Sequence, residues 1–159
     1  GSGAVWTMQV SGAHEDGSPF LTAMFTYAGG VGARATKPGL SACSYPTGIS
    51  AVPIEVVEAS APIHFHCKEL REGSGGEGQQ TGGLGQTIEF SVDTERMWEL
   101  NAVTSRLVEA PQGIFGGEPG STGAFTVNGE QVLTQSRITL KPEDVVRLEL
   151  PGGGGYGAN

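Results

Sequence analysis

The stretch GGVGAR sets Arg34 just behind three glycines, Gly29, Gly30 and Gly32. Glycine lets a main chain come close to a ligand. A guanidinium offers a planar fork of donors that matches a carboxylate or a phosphate. These four residues are therefore candidates for binding an anionic substrate or intermediate. A glycine-rich turn anchored by an arginine ion pair accounts for the same residues equally well.

Other chemistry-bearing residues carry weaker signals. His64 and His66 stand two apart in IHFHCKEL, a spacing that can chelate a metal from one strand face. Two ligands do not make a site, the one further histidine is His14, and no acidic residue has an evident claim to join them. A polar strand face is the simpler reading, so no metal ligand is assigned. Gly73, Gly75 and Gly78 match G-x-G-x-x-G. The dinucleotide motif needs a helix directly after it, and here more glycines and a strand follow. Glu55 and Glu58 lie one helical turn apart, a spacing more usual for a solvated face. No G-x-S-x-G is present, and Cys43 and Cys67 are not arranged as C-x-x-C. No catalytic residue is assigned.

The elements that must hold these residues read as β-strands. Trp6, Met8 and Val10 alternate, as do Ile63, Phe65 and Cys67 against His64, His66 and Lys68. Ile88, Phe90 and Val92 repeat the pattern, and so do Val146, Leu148 and Leu150. FLTAMFTY reads as one strand and RMWELNAVTSR as another. AFTVNGEQVL reads as a hairpin, because Asn128-Gly129 suits a type I′ turn. VPIEVVEASAP predicts a short helix with Pro53 in its first turn and Pro62 beyond its end. About eight strands and one or two short helices predict a mainly β (β-rich α+β) fold, with residues 1–159 forming a single β-rich unit.

Composition narrows the function classes. Nine basic against 17 acidic residues give a net charge of −8, which disfavours nucleic acids and anionic membranes. No apolar run reaches the about 18 residues of a membrane-spanning helix. The two cysteines read as buried free thiols of a reducing, cytoplasmic setting. The opening GSGAVWTMQV lacks an initiator Met and enters a strand at once, which suggests part of a longer polypeptide. The 27 glycines cluster in loops, and four of them, Gly152 to Gly155, follow the last strand.

In order, the segments GGVGARATKPGLSACSYPTGISAVPIEVVEASAP, LREGSGGEGQQTGGLGQTIEF, NAVTSRLVEAPQGIFGGEPGSTGAFTVNGE and DVVRLELPGGGGYG resemble the C-terminal part of the hydantoinase B/5-oxoprolinase family. The resemblance runs from about Gly12 to Gly157. Thr81 stands in TGGLG where the family often has arginine. The resemblance implies part of a larger subunit, inactive alone, in a heteromeric complex. Its partners would be the rest of the hydantoinase B subunit and a hydantoinase A-type subunit that binds ATP and Mg. That partner would phosphorylate the carbonyl oxygen of a small cyclic amide or ketone, and this subunit would complete ring opening of a lactam or cyclic imide. A divalent metal is implied in an N-terminal portion that this chain does not contain. The alternatives are a subunit of an acetone/acetophenone-type carboxylase and, from another class, a non-catalytic β-rich assembly module.

Overall fold

Alternation in VWTMQV puts Trp6, Met8 and Val10 on one face of a strand, and all three are fully buried. The computed structural model describes residues 4–21, 25–45, 48, 50, 52–132 and 137–158. That first strand, β1 (Val5–Ala13), organises a five-stranded antiparallel sheet. Its first half pairs with β3 (Phe25–Ala28) and its end with β2 (Pro19–Leu21). FLTAMFTY thus contributes to two strands rather than one, on either side of residues 22–24, which lie outside the described residues. Along its other edge β1 pairs with β6 (Trp98–Val103), which pairs in turn with β9 (Arg137–Leu140).

The second sheet is also antiparallel and five-stranded. Its order is β4 (Ile63–Leu70), β5 (Gln86–Val92), β10 (Val145–Glu149), β7 (Ala124–Val127) and β8 (Glu130–Gln131). Asn128 and Gly129 take φ of 50° and 83° between β7 and β8, as a type I′ turn requires. The buried faces of both sheets form one apolar cluster. Phe90 of the second sheet meets Trp98 of the first with ring centroids 6.4 Å apart. The mainly β architecture expected from the alternation is thus present, with a single helix, α1 (Ile54–Ser60), among the described residues. Pro53 precedes α1, and Val57 is the residue it buries. No helix among the described residues is long and apolar enough to cross a membrane.

Two expectations need correction. The register of β4 against β5 shifts between Phe65 and Cys67. Beyond this bulge Lys68 stands opposite buried Ile88, and Cys67 opposite half-buried Glu89. Lys68 therefore leaves the histidine face, and its ammonium lies 5.2 Å from the centroid of the buried Tyr27 ring. Burial, opposed by nearby Glu55, holds its pKa below the usual lysine value. A bulge inserts one extra residue and so exchanges the faces that strict alternation assigns. The cysteines are free, as expected, but half-buried rather than buried.

The glycine-rich segments pack beside the sheets as extended chains around residues 151–157. A Cβ on Gly152 would lie 1.9 Å from the Ser74 carbonyl oxygen, and one on Gly155 would lie 2.0 Å from that of Glu77. One on Gly153 would meet the Val31 oxygen at 2.1 Å, and one on Gly154 the Gln112 oxygen at 2.2 Å. Successive glycines thus face three different chains, and the fourth returns to the first. That is the threefold repeat of a polyproline-II-like helix, not the twofold repeat of a strand. Such a helix has no internal hydrogen bonds, so its amides bond outward. The Gly153 N–H donates to Gly83 at 2.8 Å and the Gly155 N–H to Glu118 at 2.9 Å, while Gly153 accepts from Gly76 at 2.8 Å. No side chain fits at these contacts, which is why the run is glycine.

Candidate anion-binding cleft

Arg34 rides on a loop that the glycine tail holds in place. The Gly30 N–H donates to the Pro151 oxygen at 2.9 Å, and the Ala33 N–H to that of Gly154 at 2.9 Å. The Arg34 N–H closes a tight turn by donating to Lys37 at 2.9 Å. On the tail's other side, the Ile114 N–H donates to the Gly155 oxygen at 3.1 Å. The tail therefore lies between the loop of Arg34 and the loop of Ile114, and a cleft of about 580 Å³ opens there.

Arg106 joins Arg34 in lining this cleft. It follows β6 and has φ of 60°, a left-handed conformation that costs a non-glycine residue roughly 1–2 kcal/mol. Its neighbours hold it there. The fully buried Trp6 donates its indole N–H to the Ser105 oxygen at 3.0 Å, and the Gly123 N–H donates to Arg106's own oxygen at 2.8 Å. Gly123 can have no side chain, since a Cβ would lie 2.5 Å from the Trp6 ring.

Leu40, Cys43, Tyr45, Gln112 and Ile114 are among the other side chains of the lining, and no Asp or Glu takes part among the described residues. Arg71, Arg137 and Arg147 each have a glutamate partner, whereas Arg34 and Arg106 have no acidic partner among the described residues. Nor does any described group accept the N–H of Gly32 or Gly154, two glycines of the lining. In a chain of net charge −8, this cleft gathers positive charge and backbone donors. Guanidinium groups and open backbone amides are the groups that take an oxyanion in proteins.

Of the residues singled out in the sequence, Gly32 and Arg34 line the cleft. Gly29 and Gly30 stand behind it: a Cβ on Gly29 would lie 2.4 Å from the Pro151 oxygen, and one on Gly30 1.8 Å from that of Gly83. They let the loop lie flat against the tail. Arg106, Tyr45 and Gln112 are not singled out by the sequence, and Cys43 reads there only as a free thiol. All four lie within the segments that resemble the family, but none carries a chemical signature there, and the left-handed turn at Arg106 has no local one. Gly73, Gly75 and Gly78 lead into extended chain and β5, not a helix, so no helix N-terminus awaits a pyrophosphate there.

His64 and His66 lie on the other side of β4 from the core, their ring centroids 5.0 Å apart. The fold does bring them an acid: Glu58 of α1 lies 3.7 Å from His64 Nδ1. That carboxylate also accepts the Phe65 N–H at 2.9 Å, and His66 Nε2 lies 2.9 Å from the Ser91 hydroxyl. No three His, Cys, Asp or Glu side chains converge to hold a metal among the described residues. Replacing both histidines with Gln is expected to leave the metal content of the complete protein unchanged by elemental analysis. Loss of about one equivalent would instead assign them as ligands.

Known proteins share this sequence and fold. The family model for hydantoinase B/oxoprolinase matches residues 1–159. 5-Oxoprolinase 1 of Arabidopsis thaliana is 31% identical over 140 residues, covering 84% of this chain and 11% of the relative. The ATP-dependent caprolactamase of Pseudomonas jessenii superposes with a TM-score of 0.74 at 22% identity, covering 99% of this chain and 30% of that one. A nucleotide-free acetone carboxylase does so with a TM-score of 0.74 at 16% identity, covering 99% and 26%. At these identities the two structures share the fold. The chain spans between 8% and 19% of the length of the curated relatives it matches.

Proposed function

The chain belongs to the hydantoinase B/oxoprolinase family, and we propose that it serves as the C-terminal portion of an ATP-dependent cyclic amide hydrolase. In this reading a hydantoinase A-type partner, with ATP and Mg, places a phosphoryl group on the carbonyl oxygen of a lactam or cyclic imide. An amide carbonyl is a poor electrophile, and phosphorylation makes its carbon open to water. Water adds to that carbon, the ring C–N bond breaks with the nitrogen taking a proton, and a second water splits the remaining acyl phosphate. The products are a ring-opened acid and inorganic phosphate.

The observation that carries the reading is the cleft holding Arg34, which no Asp or Glu lines among the described residues. Every stage of such a reaction bears an oxyanion, on the substrate's own carboxylate or on the transferred phosphoryl group. Arg34 holds that charge, and Gly29, Gly30 and Gly32 set its loop against the tail. Hydrolysis is preferred to carboxylation because the sequence likeness at 31% is to a 5-oxoprolinase, while the acetone carboxylase likeness is one of fold. Bicarbonate-dependent incorporation of carbon into product by the complete enzyme would reverse that preference.

Arg34→Lys keeps the charge and removes the fork. In the complete enzyme it is expected to lower kcat/KM for ATP-dependent ring opening about tenfold or more, with the melting temperature intact. Unchanged kinetics with a lowered melting temperature would make Arg34 an anchor of its loop and take the site away from this cleft.

A further inference from the structure

We propose that Arg106 is the second arm of an oxyanion clamp with Arg34, and that the cleft between them takes a phosphate or carboxylate group attached to a small, partly apolar molecule. The proposal rests on the reading of this cleft as the site of the hydrolase. It adds a residue to which neither the sequence nor the family resemblance assigns a role.

Three independent observations converge on it. The first is backbone strain. Arg106 is a bulky residue at φ of 60°, where glycine or asparagine is the easier choice. The conformation is enforced from both sides, by the Trp6 indole on Ser105 and by the Gly123 amide on Arg106 itself. Strain that its surroundings enforce is typical of residues aimed at a ligand. The second is charge. Arg106 and Arg34 line one cleft, neither has an acidic partner among the described residues, and no carboxylate lines the cavity there. Both are exposed, so an anion entering the cleft can be reached by two guanidinium forks. The third is the rim. Leu40, Tyr45 and Ile114 line the cleft yet are more than half exposed or nearly so, at 56%, 62% and 50%. They offer an apolar surface for the uncharged part of the bound molecule, the usual division of labour in a small-molecule site.

Arginine-selective modification followed by peptide mass spectrometry reads each arm of the clamp by itself. The complete enzyme is treated with phenylglyoxal alone, with inorganic phosphate, and with acetate, and Arg96, outside the cleft, serves as the internal reference. Phosphate is expected to slow modification of Arg34 and Arg106 about fivefold or more, and to leave Arg96 unaffected. Protection by acetate as well assigns a carboxylate-accepting clamp; protection by phosphate alone assigns a phosphoryl-binding one. Arg106→Asn keeps the left-handed turn and removes the guanidinium. It should leave the melting temperature unchanged or higher, and raise the phosphate concentration that half-protects Arg34 about tenfold. Arg106 reacting at the same rate with and without both anions overturns the clamp, as does failure of either arginine to react at all, since another part of the polypeptide would then cover it. If protection persists while Arg34→Lys leaves turnover unchanged, the clamp stands and the placement of catalysis falls.

Discussion

Gly30→Ala is expected to lower the melting temperature by roughly 6–12 °C, or to prevent folding altogether, a loss of about 3 kcal/mol or more. The added methyl carbon would lie 1.8 Å from the Gly83 carbonyl oxygen and 2.7 Å from the Gly153 nitrogen. Both are main-chain atoms, so no side-chain rotation relieves the clash. Moving the loop away breaks the bond from the Gly30 N–H to Pro151 and opens the path of the tail. The matched control is Gly73→Asn. Gly73, unlike Gly30, has positive φ, 69°, and no atom lies within 4 Å of an added Cβ there. Asparagine tolerates that conformation, so its melting temperature should move by no more than about 2 °C. Thermal unfolding followed by circular dichroism compares the two. Equal, small shifts would mean that the close stacking of glycine chains contributes little to stability.

This contrast bears on what the sequence could reveal. Strands whose one face meets the core wrote themselves into alternation, and Trp6, Met8, Val10, Phe90 and Leu148 are all fully buried. Asn128-Gly129 encoded its turn because few residue pairs accept positive φ twice. The bulge in β4 was not legible, since it depends on pairing with β5 and leaves the composition of IHFHCKEL unchanged. β9 escaped because its four residues are too few for a period to emerge. The glycine clusters announced loops, yet not that the four glycines of the tail face three separate chains. That is a property of chains distant in sequence. The cleft followed the same division. Arg34 was visible beside its glycines, while Arg106 acquires its place from Trp6, 100 positions earlier.

Trp6 therefore couples the core to the cleft, and Trp6→Phe should separate the two contributions. Phenylalanine keeps an aromatic ring on the buried face of β1 but cannot donate to the Ser105 oxygen. The lost hydrogen bond contributes about 1 kcal/mol, and the smaller ring leaves a cavity costing about 1–2 kcal/mol more. A fall in melting temperature of roughly 4–12 °C follows. The effect on the cleft should exceed what lost stability alone produces. Without the indole bond, one of the two restraints on Arg106 is gone, and the strained turn can relax toward negative φ. At temperatures where the variant is fully folded, kcat/KM of the complete enzyme should then fall about tenfold, as it would on losing one charge-assisted contact to the substrate. Combining Trp6→Phe with Arg106→Asn supplies the decisive comparison. If Trp6 acts through Arg106, the double variant should be no less active than Arg106→Asn alone, because the group being positioned is already gone. Additive losses of activity would show instead that Trp6 serves the core and that Arg106 holds its place without it.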